Sequence, residues 1–162
     1  MSVESIRIRS GVDNECSCLL IQVDPIKLLV PRVLIAEVVP FNISIIKPTA
    51  QEEIDALQWQ GREVPMIKPL LINPLCLGEV LEDSKVLIFH GLLDQGRLPY
   101  FALLSSKNPR VLQVSDESVI VDANIDKINL GELQAVQVNG DSAVIPKVDF
   151  LERFILDNHK FR

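Results

Sequence analysis

Three stretches of this chain repeat one pattern. Residues 57–67 read LQWQGREVPMI, residues 136–146 read VQVNGDSAVIP and residues 21–31 read IQVDPIKLLVP. Each is a short apolar run, a turn, a second run and a closing proline. Apolar residues at a spacing of two place side chains alternately on opposite faces, which marks a strand rather than a helix. Gly61, Asn139-Gly140 and Asp24-Pro25 supply the turns. A proline has no N–H for a ladder, so Pro31, Pro40, Pro65 and Pro146 belong at strand ends, edges or bulges, where a sheet bends. Ribbons of this kind curl into small barrels, and their recurrence predicts two related β-units rather than one large sheet.

The rest of the chain fits a mainly β protein. Residues 18–23, 27–30, 33–39, 85–89, 100–104, 110–114, 118–121, 134–138 and 143–145 read as strands. Residues 90–101, HGLLDQGRLPYF, form a longer hairpin loop. Residues 69–78, PLLINPLCLG, are apolar but broken by Pro69 and Pro74, which predicts a turn or a single packed helical turn. Thr49 with Glu52 three residues later is a capping box and predicts a short helix over about 49–55. A C-terminal helix is capped by Asp149, has Glu152 at its third position, carries Phe150, Leu151, Phe154 and Ile155 as one stripe, and ends near Asn158. With 162 residues and no low-complexity linker, the expectation is a single domain, 1–162, of two intertwined β-barrel subdomains, with flexible ends at about 1–14 and 158–162.

Hydrophobic residues make up 48% of the chain, enough for a packed core. The net charge is −6 and the lysines and arginines are scattered singly, which argues against nucleic-acid binding. No apolar run is long enough to span a bilayer, and the first eleven residues, MSVESIRIRSG, lack a signal core, so the expected location is the cytoplasm.

Little in the chain points to chemistry. Cys16 and Cys18 lie two apart on a strand and so face one side. They read as a redox pair, as half a metal site, or as small apolar residues in a reducing cell; an odd total of three cysteines argues against a disulfide framework. His90 and His159 are far apart, and neither has a ligand at metal spacing. There is no phosphate-binding Gly-rich loop and no G-x-S-x-G elbow, and the acid pairs Glu52-Glu53 and Glu82-Asp83 read as solvated. The chain is therefore expected not to be an enzyme, and no metal or cofactor is called for. What remains is a protein that presents surfaces. The alternative is a small-ligand-binding β-barrel, its pocket built by the 90–97 loop. An enzyme using Cys16 or Cys18 with His90 is a third reading. Alternation puts Leu57 and the single Trp59 on one face and Gln58 and Gln60 on the other, so Trp59 is expected to fill core and fix the hairpin that carries Gln60 and Arg62 outward.

Residues 57–67 resemble the "NLRG…VPVIDL" stretch of CheW-like domains, the adaptors of bacterial chemosensory arrays. Gly61, Val64 and Pro65 match, and Thr49 stands where those domains often carry a threonine. Residues 28–41, LLVPRVLIAEVVPF, resemble the family's upstream turn and strand, with Glu37 and Val38 matching; residues 136–155 resemble its closing hairpin and helix. Residues 98–114, LPYFALLSSKNPRVLQV, with the tryptophan of LQWQG, are similar to the ChpC-type members of chemosensory pili systems. The resemblance spans about residues 16–156. It implies two SH3-like β-barrels side by side with a shared core, and no cofactor. It implies a scaffold that couples the cytoplasmic tip of a methyl-accepting chemoreceptor to the regulatory domain of a CheA-type histidine kinase, in chemotaxis or twitching motility. Receptor contact transfers to Ile35 and Gln60, with Arg62 across the turn; Glu37 and Asp55 are the candidates for the kinase. The chain departs from the pattern in three places: Gln60 stands for the usual arginine, Asp55 for a glycine and Lys68 for an aspartate.

Overall fold

The structure, a computed structural model, describes residues 15–122 and 129–159. In chain order the strands are β1 (Cys16–Val23), β2 (Ile26–Pro31), β3 (Ile35–Pro40), β4 (Ile46–Pro48), β5 (Ile54–Trp59), β6 (Arg62–Ile67), β7 (Lys85–His90), β8 (Tyr100–Ser105), β9 (Arg110–Val114), β10 (Val119–Val121), β11 (Glu132–Val138) and β12 (Asp141–Pro146). A helix, α1 (Val148–Asn158), follows. The expected loose ends, 1–14 and 158–162, lie outside the described residues except for Asn158, which closes α1, and His159, which caps it.

The strands form two packed sheets of six, so the fold is mainly β as expected. Sheet A has the order β10-β11-β12-β2-β1-β9 and sheet B the order β3-β7-β8-β6-β5-β4. Reversed, sheet B reads β4-β5-β6-β8-β7-β3, and the two orders then correspond strand for strand. Hairpin β5–β6 matches β11–β12, and in each sheet the second hairpin strand joins a central strand in parallel: β6 with β8, β12 with β2. Residues 57–67 and 136–146 are therefore true counterparts. Both turns use two residues of positive φ, Gln60 and Gly61 at 49° and 75°, Asn139 and Gly140 at 49° and 84°, the twist that suits a two-residue hairpin. Residues 21–31 are not a third copy. They form β1–β2, whose counterpart is β7–β8. Sheet B follows the chain from β3 to β8, whereas sheet A takes its central pair from the start of the chain and its other four strands from the end.

The near-continuous apolar runs in β1, β2, β7 and β8 follow from burial on both faces. On β1, Leu19, Ile21 and Val23 point into a core shared by the two sheets, while Cys18 and Leu20 point into a core of sheet A with Leu29, Val136 and Val138. On β7, Leu87 and Phe89 join the shared core, while Val86 and Ile88 join a core of sheet B with Leu57, Val64 and Met66. Phe89 and Phe101 stack across β7 and β8 with centroids 4.9 Å apart. Pro31, Pro40 and Pro146 end strands; Pro65 lies inside β6, one residue before β8 begins to pair with it.

Two expectations fail locally. Residues 49–55 do not form a helix. The Thr49 hydroxyl accepts from the Gln51 N–H at 3.1 Å and donates to the Ile54 carbonyl, closing a turn, and β5 starts at Ile54. The same hydroxyl-to-backbone bonding that caps helices also closes turns, and Glu52, the other half of the supposed box, is exposed. Residues 33–39 are likewise not one strand, because Arg32–Leu34 form a 3-10 turn before β3. The predicted helical turn at 69–78 is present as a 3-10 turn at Pro69–Leu71.

Helix α1 starts after Lys147, with Asp149 in its first turn rather than at the cap. Leu151 and Ile155 enter the shared core, and Phe150 and Phe154 pack beside them. Glu152, between these residues, is 1% exposed. Its Oε1 accepts from the backbone N–H of Leu92 at 2.6 Å and of Leu93 at 3.2 Å. At the far end of the helix, Arg97 donates to the Leu156 carbonyl at 3.1 Å. The 91–99 loop is thus clasped to the helix at two points. Gly91 is required there because a Cβ would lie 1.8 Å from the Leu98 carbonyl oxygen. Removing the Glu152 carboxyl group strips two hydrogen bonds from a buried side chain. Glu152→Ala is expected to lower unfolding stability by roughly 2–3 kcal/mol in a urea titration, and Glu152→Gln, which keeps an acceptor, by clearly less.

Candidate functional site

β3 is one edge strand of sheet B and β9 one edge strand of sheet A, and a groove of about 290 Å³ runs between them. Its walls include Leu19, Ile35, Val38 and Val111, with Arg32 and Asn108 at its polar margin. A bulge at Ala36 shapes β3: Ile35 pairs with Phe89 but Glu37 pairs with Ile88. Strict alternation would set Ile35 and Glu37 on one face. The extra residue separates them. Ile35 turns to the shared core and the groove, and Glu37 turns to the face occupied by Val39 and the core of sheet B.

Glu37 there accepts a hydrogen bond from the indole Nε1 of Trp59 at 2.5 Å. β3 and β5 are not neighbours in sheet B, so this bond ties one edge of the curled sheet to the strand beside its other edge. Trp59 is half-buried at the rim of the sheet B core and meets Tyr100 edge-on, centroids 4.9 Å apart. The Arg62 guanidinium lies 5.2 Å from the centre of the Tyr100 ring. His90 completes the group, 5.7 Å from the same ring. Gln60 and Gly61 form the exposed tip next to Trp59 and Arg62.

Two of the residues singled out in the sequence, Glu37 and Arg62, thus meet at the Trp59–Tyr100 pair; Gln60 is exposed at the turn next to them, and Ile35 lies two residues along β3 from Glu37. Asp55 does not join them. It sits four residues back along β5, roughly 13 Å from Trp59 at strand rise. Its carboxylate lies 4.0 Å from Lys68 Nζ. Two separate departures from the resembled pattern, Asp55 and Lys68, are therefore one ion pair. Burial raises the Asp55 pKa, and Lys68 offsets part of that rise. Sequence reasoning missed Tyr100, which opens the central strand, and the Glu37–Trp59 bond; a bulge in β3 has no signature in an apolar run with one acid.

Gln60 also breaks a local rule. Its φ of 49° favours Asn or Gly, and its counterpart in sheet A is Asn139.

The other candidate residues have structural partners. The Cys16 and Cys18 sulfurs are 4.0 Å apart on one face of β1, as alternation predicts. Burial and then the neighbouring Cys16 push the Cys18 thiol up to about 12, and burial pushes Cys76 up to about 11, the reverse of nucleophile activation. His90 contacts Tyr100 on sheet B, while the cysteine pair lies on sheet A, so the grouping of Cys16 or Cys18 with His90 is not formed. His159 is half-buried rather than fully solvated, and that burial lowers its pKa against the pull of Glu63. In the 90–97 loop, the N–H groups of Leu92 and Leu93 and the Arg97 guanidinium turn to α1 instead of converging on a ligand pocket. Among the described residues no cluster of His, Cys, Asp and Glu has metal-binding geometry, and no helix is long and apolar enough to cross a membrane.

Two packed six-stranded sheets with a C-terminal helix are consistent with the CheW two-subdomain fold. In particular, the fold is similar to the crystal structure of the scaffolding protein TtCheW from Thermoanaerobacter tengcongensis, with a TM-score of 0.65 and 16% sequence identity over 82% of this chain and 89% of that one. No family model and none of the curated proteins matches the sequence.

Relieving the strained turn should cost nothing in packing, since Gln60 is exposed. Gln60→Asn is expected to raise stability by roughly 0.5 kcal/mol, read as a shift in the urea midpoint at unchanged slope. The cysteines give a pH signature. A thiol whose pKa rises on folding favours the folded state below its unfolded value, and that contribution is lost as pH climbs toward the folded value. Stability is expected to decline from about pH 9 toward pH 12, and Cys18→Ala should make the alkaline decline in melting temperature shallower.

Proposed function

We propose that this chain is a non-enzymatic CheW-like adaptor that couples a chemoreceptor to a CheA-type histidine kinase in the cytoplasm. The observation that carries the proposal is that β3 links two features: Ile35 lines the groove between β3 and β9, and Glu37 bonds Trp59 in the hairpin that carries Gln60 and Arg62. The similarity of the fold to a CheW scaffold supports the same reading. An amphipathic helix from the receptor tip lays its apolar stripe along Ile35, Val38 and Val111, while Gln60 and Arg62 set its register. Glu37 acts indirectly: by holding Trp59 it fixes the hairpin that presents Gln60 and Arg62. Asp55, at the other end of β5 and paired with Lys68, is the position left for the kinase regulatory domain, so the two ends of sheet B serve different partners. The resemblance of residues 98–114 to ChpC-type chains makes a chemosensory pili pathway, and so twitching motility, the specific setting.

An uncharged Gln60 in place of arginine weakens the grip on an acidic receptor residue. Micromolar affinity, about −8 kcal/mol, suffices where an array supplies multivalency. Co-purification from the native cell is expected to bring down a histidine kinase and a helical receptor together. Val38→Asp, on an exposed groove position, should remove the receptor and leave the kinase, whereas Gln60→Arg should tighten receptor binding. Absence of any kinase association at roughly 100 µM of each protein would overturn the reading.

A further inference from the structure

Sheet A carries a second recess that the adaptor reading does not use. It is a cleft of about 330 Å³ lined by Gln22, Lys27, Lys107, Asn108, Arg110 and Asp141. Asp141 opens β12 just after the Asn139-Gly140 turn and bridges two strands: its Oδ1 lies 3.0 Å from Lys27 Nζ on β2, and its Oδ2 lies 2.9 Å from Arg110 Nη2 on β9. Those two cations hold its carboxyl below the usual carboxylate range, Lys27 contributing most. One carboxylate is thus shared by two cations, and Lys107 on the adjoining turn is exposed with no ion-pair partner among the described residues. Three cations against one acid leave a positive surplus on a chain whose net charge is −6. The Arg110 side chain is 59% exposed and meets Asp141 through Nη2.

We propose that this cleft receives a carboxylate-rich segment of a partner protein. Asp141 shows the chemistry the site accepts, because a carboxylate already spans Lys27 and Arg110 with good geometry. An incoming acidic side chain pairs with Lys107 and with the solvent side of Arg110, and competes with Asp141 for Lys27. A nucleic-acid backbone is disfavoured, since binding one takes an extended basic stripe and the cations here are confined to one cleft on an acidic chain. A protein segment is favoured by the neighbourhood: Asn108 lines both this cleft and the groove between β3 and β9, so an apolar strip and a cationic patch adjoin at one turn. The proposal stands apart from the adaptor reading, because a peptide can be titrated into the cleft whatever occupies the groove.

The test is a titration of the 15N-labelled full chain with an acetylated hexaglutamate peptide at about 50 mM salt, followed by amide shifts. Shifts are expected to concentrate at Lys27, Lys107, Asn108, Arg110 and Asp141 and to shrink at about 300 mM salt. The double variant Lys107→Glu, Arg110→Glu should weaken binding roughly five- to thirtyfold, since two attractions become repulsions. Asp141→Asn should tighten binding roughly two- to fivefold, because Lys27 and Arg110 are released from their internal acid. Should Asp141→Asn fail to give a native spectrum, the double variant decides alone. Shifts scattered over the surface, no shifts up to roughly 10 mM peptide, or affinity unchanged in the double variant would overturn the proposal. A twelve-nucleotide single-stranded DNA shifting the same residues at lower concentration than the peptide would also overturn it, and would assign the cleft to polyanion backbones.

Discussion

Four strands bury both of their faces, and the rest of the molecule depends on them. β1 and β2 in sheet A and β7 and β8 in sheet B each send alternate side chains into the shared core and into the core of their own sheet. A strand buried on both faces has no solvent side on which a polar residue could mark the register. Its register is set instead by volume, as where Phe89 and Phe101 stack and Ala102 fills the opposite face. The order of sheet A has a further consequence. Its central hairpin is made first in the chain and its outer hairpin last, so sheet A closes only when both ends of the chain return to it. Sheet B, being contiguous, needs no such return. The shared core couples the two, and α1 seals it with Leu151 and Ile155.

The two sheets solve one joint in two ways. In each, the outer hairpin meets the central strands through a short parallel pairing, which leaves the start of the second hairpin strand beside the start of a central strand. In sheet B that joint is Arg62 over Tyr100; in sheet A it is Asp141 with Lys27. The same backbone arrangement thus carries a cation against a ring at one end of the molecule and an ion pair at the other. Substitutions that exchange ring, cation and acid at this joint change what the surface attracts without changing the path of the chain.

The hairpins were legible because Gln60-Gly61 and Asn139-Gly140 sit between runs whose alternation leaves little choice, and α1 was legible from its stripe. The counterpart relation between residues 57–67 and 136–146 was legible for the same reason, whereas residues 21–31 share the pattern of apolar run, turn and proline without sharing the place in the sheet. Thr49 misled because one hydroxyl satisfies the same backbone donor in a turn as at a helix start. The bulge at Ala36 was invisible because it is a shift in pairing against β7, and nothing in the run of β3 marks it. The pair Asp55–Lys68 was visible only as two unexplained departures; thirteen positions separate them in the chain, and only the β5–β6 register makes them neighbours. Glu152 was legible only as the third position after an Asp149 cap; its partners, the Leu92 and Leu93 N–H groups, come from a loop far away in sequence.

What the polar residues are used for bears on what the surface can do. Glu37 holds Trp59, Asp55 holds Lys68, Glu152 holds a loop, and the buried thiols are pushed away from ionisation. Each of these groups has chemistry of its own, and each is spent on shape. Among the side chains that line the β3–β9 groove and the adjoining cleft, the groove contributes the aliphatic Ile35, Val38 and Val111 and the cleft the cations Lys27, Lys107 and Arg110. In a protein interface an aliphatic strip contributes contact area and a cationic patch contributes charge selectivity. Ion pairs at an exposed rim add little affinity but reject like-charged partners and steer encounter. On the two readings proposed above, the groove would supply contact area on the Ile35 side of Asn108 and the cleft charge selectivity on the Arg110 side.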